Sequence, residues 1–67
     1  MIPIYVNGRE ELVENGLSVA ELLELLGLAG KRVAVELNRE IVPRGRHPET
    51  PLEKGDKVEI VRAIGGG

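Results

Sequence analysis

The spacing of apolar residues changes at about residue 18 and later changes back, and a chain of 67 residues then has room for only one helix between two groups of strands. In I-P-I-Y-V the apolar side chains Ile2, Ile4 and Val6 alternate with their neighbours, the period of a strand with one buried face. In S-V-A-E-L-L-E-L-L-G they fall at Val19, Leu22, Leu23 and Leu26, the i, i+3, i+4, i+7 set that lines one side of a helix. The period of two returns at Val33, Val35 and Leu37, and again at Val58 and Ile60.

Local signals punctuate these runs. Asn7-Gly8 suits a two-residue turn in which both central residues have positive φ, so strands near 2–6 and 9–13 form a hairpin. Ser18 is the expected N-cap, with Glu21 three residues on to complete a capping box, Leu17 placed to staple onto Leu22, and Gly27 to end the helix. A polar turn at Asn38-Arg39 follows the third strand, and a short strand through Ile41 and Val42 closes at Pro43. Between Arg44 and Glu53, Pro48, Pro51 and their polar neighbours read as a loop with at most one helical turn, and Gly55-Asp56 opens the last strand.

The order is two antiparallel strands, one helix, two more strands and a final strand. This is an α+β, ubiquitin-like β-grasp order: a mixed sheet of about five strands covered on one face by one helix, with the last strand placed between the first and third. The expected domain is 1–64, followed by a flexible glycine tail at 65–67. One irregularity stands out. Arg62 falls in the register of Val58 and Ile60, while Val61 takes the opposite parity, so either a bulge shifts the strand or the outer face carries an apolar patch of Val61, Ala63 and their neighbours. Tyr5 points to that outer face as well.

Several function classes lose their candidates. The net charge is −2 without a basic block, which disfavours nucleic acid as a partner. No apolar run approaches about 18 residues and the N-terminus lacks the features of a signal peptide, so the expectation is a cytoplasmic protein without membrane contact. There is no cysteine and one histidine, His47, which leaves no thiolate nucleophile and no His cluster; no metal and no bound cofactor are expected. His47, among Arg44, Arg46 and Pro48, reads as a solvated loop residue. The helix leucines read as core, and Glu21 and Glu24 as the helix's solvated face.

The chain ends R-A-I-G-G-G. Gly65, Gly66 and Gly67 add no side-chain contacts to a core, and a frayed end is one explanation for them. The chemical alternative is a slender arm that enters a narrow channel on another protein and brings the carboxylate of Gly67 to a phosphate of ATP. Adenylation would turn a poor electrophile into one that a sulfur nucleophile can attack, with AMP leaving.

Taken in order, the early N-G hairpin, S-V-A-E-L-L, V-E-L-N-R-E-I-V-P-R, G-D-K-V-E-I-V and the terminal I-G-G-G resemble the ThiS family of sulfur carriers over the whole chain. The resemblance implies a protein that is not itself an enzyme. The carboxylate of Gly67 would be adenylated by a ThiF-like activating enzyme that uses ATP, then converted to a thiocarboxylate with sulfur from a cysteine desulfurase. A ThiG-like thiazole synthase would accept the sulfur for the thiazole ring of thiamine. Gly65, Gly66, Ile64, Arg62, Val61, Ala63 and Tyr5 would contact these partners, and the free carrier would be a monomer. The small subunit of molybdopterin synthase, a modifier that forms isopeptide bonds, and a plain β-grasp interaction module with an inert tail are the alternatives.

Overall fold

Backbone geometry begins at the turns. The computed structural model of the chain describes residues 1–62. Strands β1 (Ile2–Val6) and β2 (Arg9–Val13) pair antiparallel, with Val6 opposite Arg9. Asn7 at φ 50° and Gly8 at φ 84° between them provide the two positive φ values that the Asn-Gly pair favours. Strands β3 (Val33–Leu37) and β4 (Glu40–Val42) repeat the device through Asn38 at 51° and Arg39 at 72°. The last strand, β5 (Lys57–Arg62), runs parallel to β1 and antiparallel to β3, giving a five-stranded mixed sheet in the order β2-β1-β5-β3-β4. The expected central place of the last strand is therefore observed.

Both turn asparagines hold β5. Asn7 donates its backbone N–H to the Val58 carbonyl at 2.8 Å. Its side-chain Oδ1 accepts from the Ile60 N–H at 2.8 Å and its Nδ2 donates to the Ile60 carbonyl at 3.2 Å, so the amide imitates one more residue of β1. On the other edge, the Asn38 N–H donates to the Lys57 carbonyl at 2.7 Å and Asn38 Oδ1 accepts from the Lys57 N–H at 3.0 Å. β5 is thus held on both edges through Ile60.

Helix α1 (Val19–Leu25) covers one face of the sheet. Its start is the capping box expected from sequence: Ser18 Oγ accepts from the Glu21 N–H at 3.0 Å and Glu21 Oε1 accepts from the Ser18 N–H at 2.9 Å. At the other end the Gly27 N–H donates to the Glu24 carbonyl and the Leu28 N–H to the Leu23 carbonyl, with Gly27 at φ 74°, which is a Schellman turn. That turn stops the helix after seven residues. Leu26 becomes its C-cap and Leu25 its last residue, and both are exposed, so only Val19, Leu22 and Leu23 of the apolar helix set are core. Ser18→Ala removes the cap and is expected to lower stability by about 1 kcal/mol, read as an earlier midpoint in chemical denaturation.

The core comprises Ile4, Val13, Val19, Leu22, Leu23, Val35, Leu52, Val58 and Ile60. Leu52 comes from the stretch read as loop, and is drawn in by hydrogen bonds on both sides. The Val19 N–H donates to the Thr50 carbonyl at 2.9 Å and the Leu52 N–H to the Leu17 carbonyl at 2.7 Å. Upstream, Arg44–Glu49 forms a 3₁₀ helix. His47, expected in solvent, is instead buried within it, and its Nε2 donates to the Val42 carbonyl at 3.0 Å. The carbonyl can only accept, so Nε2 carries a hydrogen. The correction has a local cause: the 3₁₀ turn carries the imidazole beneath α1, and one backbone oxygen satisfies it there.

Candidate functional site

Among the described residues no helix covers the sheet's second face, and strand register decides which side chains stand on it. β5 meets β3 without interruption, pairing Arg62 with Val33, Val61 with Ala34, Ile60 with Val35, Glu59 with Glu36 and Val58 with Leu37. No bulge shifts this register. Val61 therefore stands on the outer face, 61% exposed, beside exposed Ala34. Tyr5, opposite Glu10 on β2 and Lys57 on β5, lies on the same face. Arg62 has the parity of Val58 and Ile60 and belongs to the opposite side, at the sheet's end, where it is exposed.

Tyr5 and Val61 are not adjacent. Tyr5 is in register with Lys57, four residues before Val61, which puts the two roughly 13 Å apart along the strand at about 3.3 Å per residue. Between them runs a charged row in which Glu59 stands directly across from Glu36. Opposed like charges on adjacent strands cost stability, and the apolar surface is divided on either side of them. Toward Tyr5 it continues through Pro3 and exposed Leu12, a register pair of β1 and β2; beyond Glu36 it reaches exposed Ile41 on β4.

Leu12, Ala34 and Ile41 join this face by cross-strand pairing alone. Sequence reading singled out Val61 because the parity break was visible within one strand. The others could have been found only by fixing the register of β2, β3 and β4. Ala63, Ile64, Gly65, Gly66 and Gly67, the remaining candidate residues, lie outside the described residues.

Among the described residues no group of three or more His, Asp or Glu could hold a metal ion, and no helix is long and apolar enough to cross a membrane. The geometry offers a docking face and, at the far end of β5, a strand held by both neighbours that leads into the last residues of the chain.

Comparison with known proteins adds the remaining findings. The model of the ThiS family matches residues 3–67. A sulfur carrier protein ThiS from Thermus thermophilus is 39% identical over 64 residues, covering 96% of this chain and 98% of that protein. A thiazole synthase from Paramagnetospirillum magneticum is 42% identical over 64 residues, 96% of this chain but 20% of the synthase. The chain thus spans about a fifth of the length of that relative. The crystal structure of a thiamine biosynthesis protein (ThiS) from Geobacter metallireducens superposes with a TM-score of 0.85 at 38% identity, covering 98% of this chain and all of the other.

Proposed function

The chain belongs to the ThiS family, and from that membership we propose that it carries sulfur for thiamine biosynthesis on the C-terminal carboxylate of Gly67. The observation that carries this reading is that the family match runs to residue 67, so it takes in the terminal glycines as well as the β-grasp domain.

The chemistry asks little of the domain itself. A carboxylate oxygen of Gly67 attacks the α-phosphorus of ATP within a ThiF-like activating enzyme, and pyrophosphate leaves. The terminal sulfur of a persulfide formed by a cysteine desulfurase then attacks the acyl carbon of the adenylate, AMP leaves with the oxygen, and a thiol cleaves the S–S bond of the resulting acyl disulfide, leaving the thiocarboxylate and a new disulfide. No acid, base or metal of this chain takes part. The domain's contribution is to be recognised and to hold the root of the tail steady, a task suited to a strand bonded to Asn7 as far as Ile60 on one edge and paired with β3 as far as Arg62 on the other. Effective molarity depends on such placement. A thiazole synthase that includes a segment similar to this chain supports a ThiG-like enzyme as the acceptor of the sulfur.

The test is intact-mass measurement after incubation with ATP, the activating enzyme and a sulfur source. A gain of about 16 Da, one oxygen exchanged for sulfur, is expected of a covalent acyl route, and an unchanged mass with active partners would overturn the proposal. The outer face is the proposed docking surface. Val61→Glu adds a third carboxylate beside Glu59 and Glu36 while touching no core residue. It is expected to weaken binding to the activating enzyme about tenfold or more with unchanged circular dichroism, since a charge placed in an apolar contact costs upward of about 1.4 kcal/mol.

A further inference from the structure

On the helix side of the sheet, away from the docking face, a cavity of about 180 Å³ opens between α1, the segment that joins it to β3, and the 3₁₀ helix. That is below the roughly 300 Å³ at which sites for drug-sized ligands begin, and at about 30 Å³ per water it is room for roughly six waters. Leu23, Leu28 and Val33 give it an apolar floor, while Lys31, Arg44 and His47 supply its nitrogen-bearing side chains. Among the described residues no Asp or Glu lines it, although the chain has 11 acidic residues against 9 basic ones. Cations without a carboxylate beside them favour an anion, and the floor favours one with an aliphatic part.

His47 narrows the choice. The residue is buried, and its Nε2 is committed to the Val42 carbonyl. The other ring nitrogen, Nδ1, has no hydrogen-bond partner among the described residues, and no buried side-chain nitrogen or oxygen there is left without one. Nδ1 is therefore not sealed in, and the space that its ring lines is this cavity. With a hydrogen on Nε2, the neutral ring presents Nδ1 as a lone-pair acceptor. An anion that offers only acceptor oxygens would leave this nitrogen facing another lone pair, whereas one that also carries a hydroxyl satisfies it.

We propose that the cavity is a binding site for a short hydroxy carboxylate. The carboxylate accepts from Lys31 and Arg44, the hydroxyl donates to Nδ1 of His47, and the aliphatic carbons rest on Leu23, Leu28 and Val33. Lactate has each of these groups, and about as many non-hydrogen atoms as the cavity has room for waters. The site is separate from the outer face that carries Val61 and Tyr5.

Titration of the full chain with sodium lactate, followed by backbone amide NMR, tests this. Saturable shifts of the Gly30 and His47 signals are expected at about millimolar lactate, a strength within reach of so small a ligand, with smaller shifts at Glu36 and Glu59 on the outer face. Propionate, which lacks the hydroxyl, is expected to bind about tenfold more weakly or worse, because Nδ1 loses its donor. Changing the ligand in this way spares the buried ring, whose removal would disturb the packing beneath α1. Lactamide, which lacks the charge, is expected not to saturate, nor is lactate with the variant that combines Lys31→Ala and Arg44→Ala. Both cations are exposed, so their replacement leaves the core alone, and retained β-sheet dispersion checks this. Inorganic phosphate separates a hydroxy-acid site from a bare anion site. Lactate shifts that fail to saturate or that survive loss of both cations, propionate or lactamide binding as well as lactate, or phosphate binding as tightly would each overturn the proposal. None of these readouts depends on sulfur loading.

Discussion

Deleting Gly67 is expected to cut the rate of sulfur loading at least about a hundredfold while leaving the fold intact. The shortened chain still ends in Gly-Gly, so the effect isolates reach from composition. One extended residue spans roughly 3.5 Å, and a misplacement of about 1 Å at a reacting centre can already cost on the order of a hundredfold. Gly66→Val keeps the full length and adds a β-branched side chain where the partner's channel has to be narrow, and a comparable loss is expected. Intact mass against time, with wild type in parallel, measures both. If the two altered chains gained sulfur at the wild-type rate, the terminal glycines would be ordinary frayed residues.

The second large effect is on stability. Leu52 is fully buried, and Leu52→Ala is expected to cost about 2–5 kcal/mol, the range for a leucine whose cavity cannot fully collapse. The core of a domain this small supplies no more than about 3–5 kcal/mol of net stability. The variant is therefore expected to be largely unfolded at room temperature, seen as loss of amide dispersion and of a cooperative denaturation transition. Leu25→Ala offers the contrast: this helix leucine is 69% exposed, and its loss is expected to change stability by no more than about 0.5 kcal/mol. Equal costs at the two positions would mean that the core is assigned wrongly.

These two leucines also show how far the sequence could be read. Leu25 sits in an apolar helical run and Leu52 between Pro51 and Glu53 in a proline-rich stretch, so composition ranks them in the wrong order. The difference arises from partners distant in the chain. Leu52 is carried inward because its N–H is committed to Leu17, 35 residues earlier, while Leu25 lies off the helix stripe of Val19, Leu22 and Leu23 and is left outside. His47 was misread for the same reason, since the oxygen that satisfies it belongs to Val42 and becomes its partner only when the 3₁₀ helix folds beneath α1.

What the sequence determined alone is what short-range chemistry controls: the Asn-Gly turn, the Ser18 and Glu21 capping box, the alternation in β1, β3 and β5, and from their order the β-grasp arrangement with β5 at its centre. Each of these depends on contacts within a few residues, where side-chain type and spacing suffice. It also displayed the terminal glycines, whose role no packing argument explains. Tertiary structure alone decided the composition of the two faces. Register placed Leu12, Ala34 and Ile41 beside the Val61 and Tyr5 face and set Glu36 against Glu59. Folding of the 3₁₀ helix against α1 built the cavity that joins Lys31 to Arg44. A strand's own alternation says which residues share a side, but which strand lies next to it, and at what offset, is settled by burial and hydrogen bonding summed over the whole sheet.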